Sequence, residues 1–414
     1  MKYFILSLLA FAVWSCGAQP SYWSNVHSGT EKDLLAISFG SPATGYIGGR
    51  DSLLLKTTDG GDTWQPVALP GTVFGGSYKD ICDVNFVSDQ VGYITVTNYD
   101  NPLFTGMVYQ TLDGGGSWAP VDAGSTAAYR SYFFSQGNGF VTGSAFFAGG
   151  IVSKISNGNP AGYHMLYGGP DYFIKAIDFR STQQGIVGGA DGKVFRTFDG
   201  GSSWDTVQTN TGGAIYGLKY LSDSLILAAV NANATMLVSR DAGTTWQVEM
   251  GSLTFDYPVM RSVAASDLDS FIAVGASTTF PGTGTIYWHN RTFNQVQHVD
   301  RPLHGVAMQT GSVAYAVGEG GLIVSNKLSV TALPEAPDLA GEVKLYPNPA
   351  AGSFTLSLPV KYTLKVFDAS GRLVFCNDKP VYTQQVRLKG RAAGAYIVQL
   401  EAGGRLLHQK VILK

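Results

Sequence analysis

Thr57-Thr58-Asp59-Gly60-Gly61-Asp62-Thr63-Trp64 decides the fold, because the chain repeats it. Thr111-Leu112-Asp113-Gly114-Gly115-Gly116-Ser117-Trp118, Thr197-Phe198-Asp199-Gly200-Gly201-Ser202-Ser203-Trp204 and Ser239-Arg240-Asp241-Ala242-Gly243-Thr244-Thr245-Trp246 share the pattern Ser/Thr-x-Asp-x-Gly-x-x-Trp. Each residue type has a local task. Asp accepts backbone N–H bonds inside a turn, Gly permits φ > 0, and the hydroxyl helps close the loop. The Trp fills a gap between neighbouring sheets. Asp59, Asp113, Asp199 and Asp241, with Trp64, Trp118, Trp204 and Trp246, are therefore assigned to folding, and a role as acids or metal ligands is the lesser alternative.

The tryptophans are spaced by 54, 86 and 42 residues. A gap of 86 is two repeats of about 43, the length of a propeller blade. One degenerate repeat thus lies between Trp118 and Trp204, with Ser156-Asn157-Gly158-Asn159 where its motif is lost. A companion pattern of Gly, then an aromatic or apolar strand ending in small residues, precedes the motifs. It recurs seven times, beginning at Gly45, Gly92, Gly139, Gly185, Leu225, Phe271 and Ala314. The last repeat stops at Leu322-Ile323-Val324-Ser325, and Trp23-Ser24-Asn25-Val26 matches the strand it lacks. The expected fold is all-β: a seven-bladed β-propeller whose N-terminal strand closes the last blade, followed by a small immunoglobulin-like β-sandwich. A six-bladed ring is the alternative.

The four motifs resemble the Asp-box of sialidases, some glucan-cleaving propellers, sortilin-type receptors and, most closely, the photosystem II assembly-factor-like repeats. The resemblance implies a scaffold or binder. A sialidase would need an Arg in a Phe/Tyr-Arg-Ile-Pro context before the first box and a triad of arginines. Arg50, Arg130 and Arg301 sit in poor contexts for this. No pair of carboxylates stands out for glycoside cleavage, and the six histidines show no metal spacing. Neither a cofactor nor a metal is expected.

Function is expected on loops. In a blade whose strands run A to D outward, the box is the C–D turn on the lower face. The B–C and D–A connections share the upper face, and the insertions fall there. They carry Tyr99, Asp100, Phe104, Phe146, Phe147, Tyr163, Tyr167, Asp171, Phe255, Asp256, Tyr257 and Phe280. Aromatics beside carboxylates suit a glycan or a protein partner, although any one ring could instead pack its own loop. A non-catalytic binding propeller is the leading expectation; a glycoside hydrolase using upper-face carboxylates is the alternative.

After a linker over 330–342 comes Val343-Lys344-Leu345-Tyr346-Pro347-Asn348-Pro349. Gly371 follows in an Asp-x-x-Gly hairpin, then Gly394-Ala395-Tyr396, and Lys410 opens the last five residues. Residues 343–414 resemble the type A sorting domain of the Bacteroidetes type IX secretion system. That resemblance implies docking to the outer-membrane translocon and export to the cell surface or medium. Alternation in Leu364–Phe367 and Tyr396–Leu400 predicts about seven strands. This segment holds eleven Lys/Arg against three Asp/Glu, whereas the rest, leaving out Lys2, holds sixteen against twenty-seven. An acidic main body speaks against nucleic-acid binding.

Met1–Ala18 reads as a signal peptide: one Lys, a short apolar run and small residues. Cleavage is expected near Ala18, with lipidation at Cys16 as the rival. The propeller is then 19–329. No other segment is long enough to span a bilayer, and a monomer is expected. Cys82 and Cys376, in strand-like runs of different domains, are expected to be buried free thiols.

Overall fold

The computed structural model describes residues 23–69, 79–97, 106–124, 127–145, 149–166, 174–232, 235–250, 259–268, 270–290, 293–327, 343–368, 373–402 and 405–414. The chain divides into two compact units, Met1–Leu328 and Ser329–Lys414.

The first unit is a ring of seven four-stranded antiparallel sheets. Blade 1 is Leu34–Phe39, Gly45–Gly49, Leu54–Thr57 and Gln65–Pro66. The inner strands of blades 2 to 6 are Asp80–Phe86, Ala127–Ser135, Ala176–Phe179, Ile215–Tyr220 and Val259–Asp267. Blade 7 is Leu303–Met308, Ala314–Gly318 and Ile323–Ser325, completed by Ser24–Val26 from the other end of the propeller. That N-terminal strand pairs Ser24 with Ser325 and Val26 with Ile323, so the ring closes by hydrogen bonds between distant parts of the sequence.

The hydrophobic core lies between the blades. Seven buried clusters each join two neighbouring sheets; one of them brings Leu34, Ile47 and Trp64 of blade 1 against Tyr315, Val317 and Ile323 of blade 7. The Gly-aromatic pattern explains itself here. The aromatic of one blade stacks on a Phe from the inner strand of the next: Tyr46 on Phe86 at 3.6 Å, Tyr93 on Phe133 at 3.4 Å, Phe140 on Phe179 at 4.4 Å. Each such Phe lies flat over the Gly of its own blade. A Cβ on Gly45 would stand 2.7 Å from the Phe39 ring, and one on Gly185 would overlap the Phe179 ring. Trp64, Trp118 and Trp204 meet these rings edge-on at 6.1 to 6.3 Å.

All four boxes close in the same way. Thr111 Oγ1 donates to Asp113 Oδ1 at 2.8 Å and accepts from Gly115 N at 2.8 Å. Asp113 Oδ1 also accepts from Ser117 N, and Oδ2 from Ser117 Oγ, at 2.8 and 2.7 Å. The residue before each Trp is Ser or Thr for this reason, a position the pattern had left open. The box also reaches the preceding blade: Lys56 Nζ donates to Gly114 O at 2.8 Å, Lys154 Nζ to Gly200 O at 2.7 Å, and Lys327 Nζ to Gly60 O at 3.4 Å. In blade 3 an Asn157-Gly158 hairpin replaces the box, with φ of +50° and +77°.

Three expectations need correction. Residues 159–165, assigned to a connecting loop, form the outer strand of blade 3 (Asn159–Met165), because the two-residue turn returns the chain at once. Cys82 is buried, but Cys376 is exposed on the outward side of its strand. Among its described residues the second unit has five strands, against the seven or so expected: Lys344–Tyr346, Ser353–Phe367, Leu373–Arg387, Gly394–Ala402 and Arg405–Leu413. Two of these are 15 residues long, and their mutual pairing shifts register between Ser357 and Tyr362; all five strands belong to one hydrogen-bonded sheet. Their core holds Phe354, Leu364, Val366, Tyr396, Val398 and Val411.

Gly185→Ala should lower unfolding stability by about 1–3 kcal/mol through overpacking. Gly212→Ala, where a Cβ meets nothing within 4 Å, should stay within about 0.5 kcal/mol; urea midpoints of the two variants decide. The box carboxylates predict acid sensitivity. The Ser117 hydroxyl and N–H, with the Thr111 hydroxyl, hold the Asp113 carboxyl down at about 2, below its ordinary 3.8. The folded state therefore binds fewer protons than the unfolded one between these values. Its stabilisation is present above pH 3.8 and is lost as pH falls towards 2. Asp113→Asn should flatten that part of the stability–pH curve, measured by denaturant titration across the range.

Candidate functional site

One irregularity recurs in every blade. The inner strand carries one extra residue against its neighbour, at the same level each time. Leu34 pairs with Gly49 and Ala36 with Gly48, leaving Leu35 over. The same skip leaves Cys82, Tyr129, Tyr216, Arg261 and His304 in blades 2, 3, 5, 6 and 7. In blade 4, Lys175 N donates to Gly188 O although Ala176 is the register partner of Gly188. These are β-bulges, and a bulge turns its side chain out of the sheet's alternation. The small residues ending the second strand make room for it: a Cβ on Gly49 would stand 2.6 Å from Asp33 O.

All seven bulge residues line one cavity of about 240 Å³ at the axis, joined by Arg50, Asp80 and Arg130. Arg50 follows the second strand of blade 1, so the cavity opens on the face of the B–C and D–A connections, opposite the boxes.

The ring is uneven. Blades 1 and 2 contribute Leu35 and Cys82, the latter buried with its thiol pushed up to about 11 by burial. Blades 3 to 6 contribute Tyr129 with Arg130, Lys175, Tyr216 and Arg261. Lys175 Nζ lies 3.2 Å from the Tyr216 hydroxyl and 4.8 Å from its ring centre. Arg261 donates to His304 Nδ1 at 3.0 Å, which leaves the imidazole proton on Nε2, facing Glu319 at 3.7 Å. Burial, then the charge of Arg261, lower the His304 pKa to about 4, so the ring is neutral at neutral pH.

The carboxylates around the cavity already have partners. Asp33 holds Arg50 at 2.9 Å and accepts from Gly320 N at 2.9 Å. Asp80 holds Arg50 at 3.5 Å. Deeper, Asp83 accepts from Ser131 N at 2.7 Å and joins the inner strands of blades 2 and 3; burial pushes its pKa up despite Arg130. Arg130 NH1 donates to the carbonyls of Cys82 and Tyr129. Among the described residues lining the cavity, four cationic side chains (Arg50, Arg130, Lys175, Arg261) stand against one carboxylate, Asp80, a balance suited to an anion. Among the described residues no group of three or more His, Cys, Asp and Glu is placed to hold a metal, and no helix is long and apolar enough to cross a membrane.

Of the loop residues expected to bind ligand, Tyr99, Asp100, Phe104, Phe146, Phe147, Tyr167, Asp171, Phe255, Asp256 and Tyr257 lie outside the described residues. Phe280 is on the B–C connection of blade 6, half exposed and edge-on to His298 at 5.0 Å. Tyr163 is 63% exposed, on the outer strand of blade 3 and away from the axis. In the second unit Gly371 also lies outside the described residues, Tyr346 is exposed, and Tyr396 is buried with its hydroxyl donating to Ala392 O at 2.9 Å. The axial ring itself was missed. Its signal is a column in the repeats, an apolar residue, any residue, then a small or polar one: Ile174-Lys175-Ala176, Ile215-Tyr216-Gly217, Met260-Arg261-Ser262, Leu303-His304-Gly305.

Comparison with known proteins agrees with this architecture. Residues 344–414 match the family described as "Secretion system C-terminal sorting domain", and residues 17–73 match "Photosynthesis system II assembly factor YCF48". Similar solved structures include YCF48 bound to D1 peptide (TM-score 0.55, 16% identity, covering 74% of this chain and 97% of that one). They also include YCF48 from Cyanidioschyzon merolae (TM-score 0.55, 15% identity, 73% and 98%). U3-55K shares the fold as well (TM-score 0.54, 12% identity, 75% and 99%). A curated relative is an endo-acting ulvan lyase of Formosa agariphila, 28% identical over 232 residues. The match covers 50% of this chain and 45% of that relative, so the chain spans about half the relative's length. The chain is thus a β-propeller with the fold of YCF48, its first blade matching the YCF48 family, followed by a secretion-system C-terminal sorting domain that marks it for export.

Proposed function

We propose that the exported propeller is a binding module whose axial cavity grips an acidic group of its ligand, a glycan or a protein segment. The ring of bulge residues carries this proposal. Arg130, Lys175 and Arg261 face one cavity, while Arg50 is engaged by Asp33 and Asp80. Cations converging in a cavity with restricted access to water hold an anion more strongly than the same cations on an open surface. Leu35 and Cys82 give the opposite wall an apolar character suited to a sugar face or an aliphatic side chain. The loop aromatics named above would extend contact from the axis outward. Export proceeds through the periplasm after cleavage near Ala18, and the protein works as a monomer.

A second proposal, a glycan-cleaving enzyme, is favoured by the 28% likeness to an endo-acting ulvan lyase. The groups at the cavity support it less well. Among the described residues the His304 lone pair is taken by Arg261, and Asp33, Asp80 and Glu319 face arginines, so each of these candidate bases is engaged.

An array of acidic and neutral glycans, probed with the mature protein, tests the primary reading. Binding should favour acidic glycans and weaken as salt is raised. Arg130→Gln and Arg261→Gln should each weaken it roughly 10- to 100-fold, as expected for loss of a charge-assisted hydrogen bond. Arg50→Gln should cost less, since two carboxylates, Asp33 and Asp80, hold it at 2.9 and 3.5 Å, whereas Glu319 stands 4.0 Å from Arg261. Equal binding of neutral and acidic glycans by wild type and variants would discard the cavity as the site. Turnover of chromogenic glycosides, abolished by an Asp→Asn change on the same face, would favour the enzyme.

A further inference from the structure

The Tyr346-Pro347-Asn348-Pro349 segment does something its exposed position does not advertise. Asn348 Nδ2 donates to Lys410 O at 2.9 Å, and its Oδ1 accepts from Ile412 N at 2.9 Å. Lys410 and Ile412 belong to the last strand, Arg405–Leu413, which on its other side pairs with Gly394–Ala402. One carboxamide thus supplies the donor and the acceptor that a neighbouring strand's backbone would offer. Backbone then takes over: Ala350 N donates to Ile412 O at 2.7 Å and Ala350 O accepts from Lys414 N at 3.0 Å, a parallel bridge between Ala350 and Leu413.

The residue type is specific to this task. The prolines on both sides have no N–H, so the segment cannot pair as an ordinary strand. A carboxylate would keep the acceptor and lose the donor, and Gln would place the amide one methylene too far. What the contact fixes is register. Val411 and Leu413 are buried in the domain core, while Lys410, opposite the exposed Ile397, faces outward. A slip of one residue would bury the lysine and expose both apolar side chains.

We propose that Asn348 is the positioning residue of the export signal, stapling the last strand in register so that the secretion apparatus meets a folded, ordered edge. The proposal rests on the sorting-domain match and is independent of what the axial cavity binds.

The test uses the full chain, expressed in a bacterium with a type IX system, as Asn348→Ala, Asn348→Asp and Val366→Ala. The last of these opens a cavity in the same domain's core, far from the staple in sequence. Three quantities are read: the exported fraction, hydrogen exchange of the Ile412 and Lys414 amides, and the unfolding midpoint of each unit. Asn348→Ala should speed exchange at those amides about tenfold or more, as expected for loss of two hydrogen bonds. It should cut export at least tenfold and leave the propeller transition unchanged. Asn348→Asp should fall between Ala and wild type in both readouts. Val366→Ala should lower the domain midpoint at least as much and still be exported. If Asn348→Ala leaves the domain unfolded, the comparison of Asn348→Asp with Val366→Ala decides. The proposal is overturned if the Asn348 variants export normally despite fast exchange, or if export simply follows the midpoint across all three.

Discussion

The ring depends on a contact between each Asp-box and the blade before it. The box is a tight turn whose first φ > 0 residue leaves its carbonyl directed away from its own sheet. At Gly60, Gly114 and Gly200 a lysine from the preceding blade donates to that carbonyl. At Ala242, Arg196 does so at 3.3 Å. Tyrosine hydroxyls from the Gly-aromatic strands reach the same oxygens: Tyr46 to Gly114 at 2.9 Å and Tyr315 to Gly60 at 2.7 Å. A partly buried carbonyl without a partner is costly, so a blade's hairpin is satisfied only when its neighbour is present. The motif that looks like a local fold signal is therefore also the joint between sheets.

This joint explains why the closing strand matters. Lys327 and Tyr315 belong to blade 7, and they serve the box of blade 1. Pairing of Ser24–Val26 with Ile323–Ser325 anchors the far edge of that same blade. Without closure, blade 1 would lose its stacking partner for Phe39, its carbonyl donors and one wall of its core. Stability in such a ring is a property of seams, and each seam is built from residues about 45 positions apart or, at closure, from the two ends of the propeller.

What could be read from the sequence follows this division. The boxes were legible because their chemistry is complete within eight residues. The blade count was legible because the second strand recurs seven times; in blades 1 to 4 it opens on a Gly with a Phe lying over it, and in blades 5 to 7 Ile226, Phe271 and Ala314 take that place. The outer strand of blade 3 was not legible, since Asn157-Gly158 turns the chain without the box that marks the outer strands of blades 1, 2, 4 and 5. The axial cavity was also hidden. Alternation reveals which residues of a strand face the core, but not where one extra residue breaks the alternation. A bulge residue such as Lys175 or Arg261 reads as an ordinary exposed position until the register of its neighbour is known. Only a comparison of the seven repeats with one another, column by column, would have put Leu35, Cys82, Tyr129, Lys175, Tyr216, Arg261 and His304 together.

That column separates two demands that compete in most binding proteins. The seams use the lower turns, the stacked rings and the buried acceptors Asp83 and Asp178, the latter bonded to Tyr220 N at 2.6 Å. The bulge residues stand outside the ladder, yet some of their side chains also bridge blades: Cys82 Sγ to Tyr129 O, Lys175 to Tyr216, and Arg261 to His304. In this chain the seven places hold Tyr129, Lys175, Tyr216 and Arg261 over blades 3 to 6, His304 in blade 7, and Leu35 and Cys82 over blades 1 and 2. On the proposed binding reading, a different set of side chains at the same seven places would take a different ligand on the same scaffold. It follows that whole-chain likeness to other propellers reports on the seams, whereas ligand identity is recorded in a set of residues too few to weigh in such a comparison.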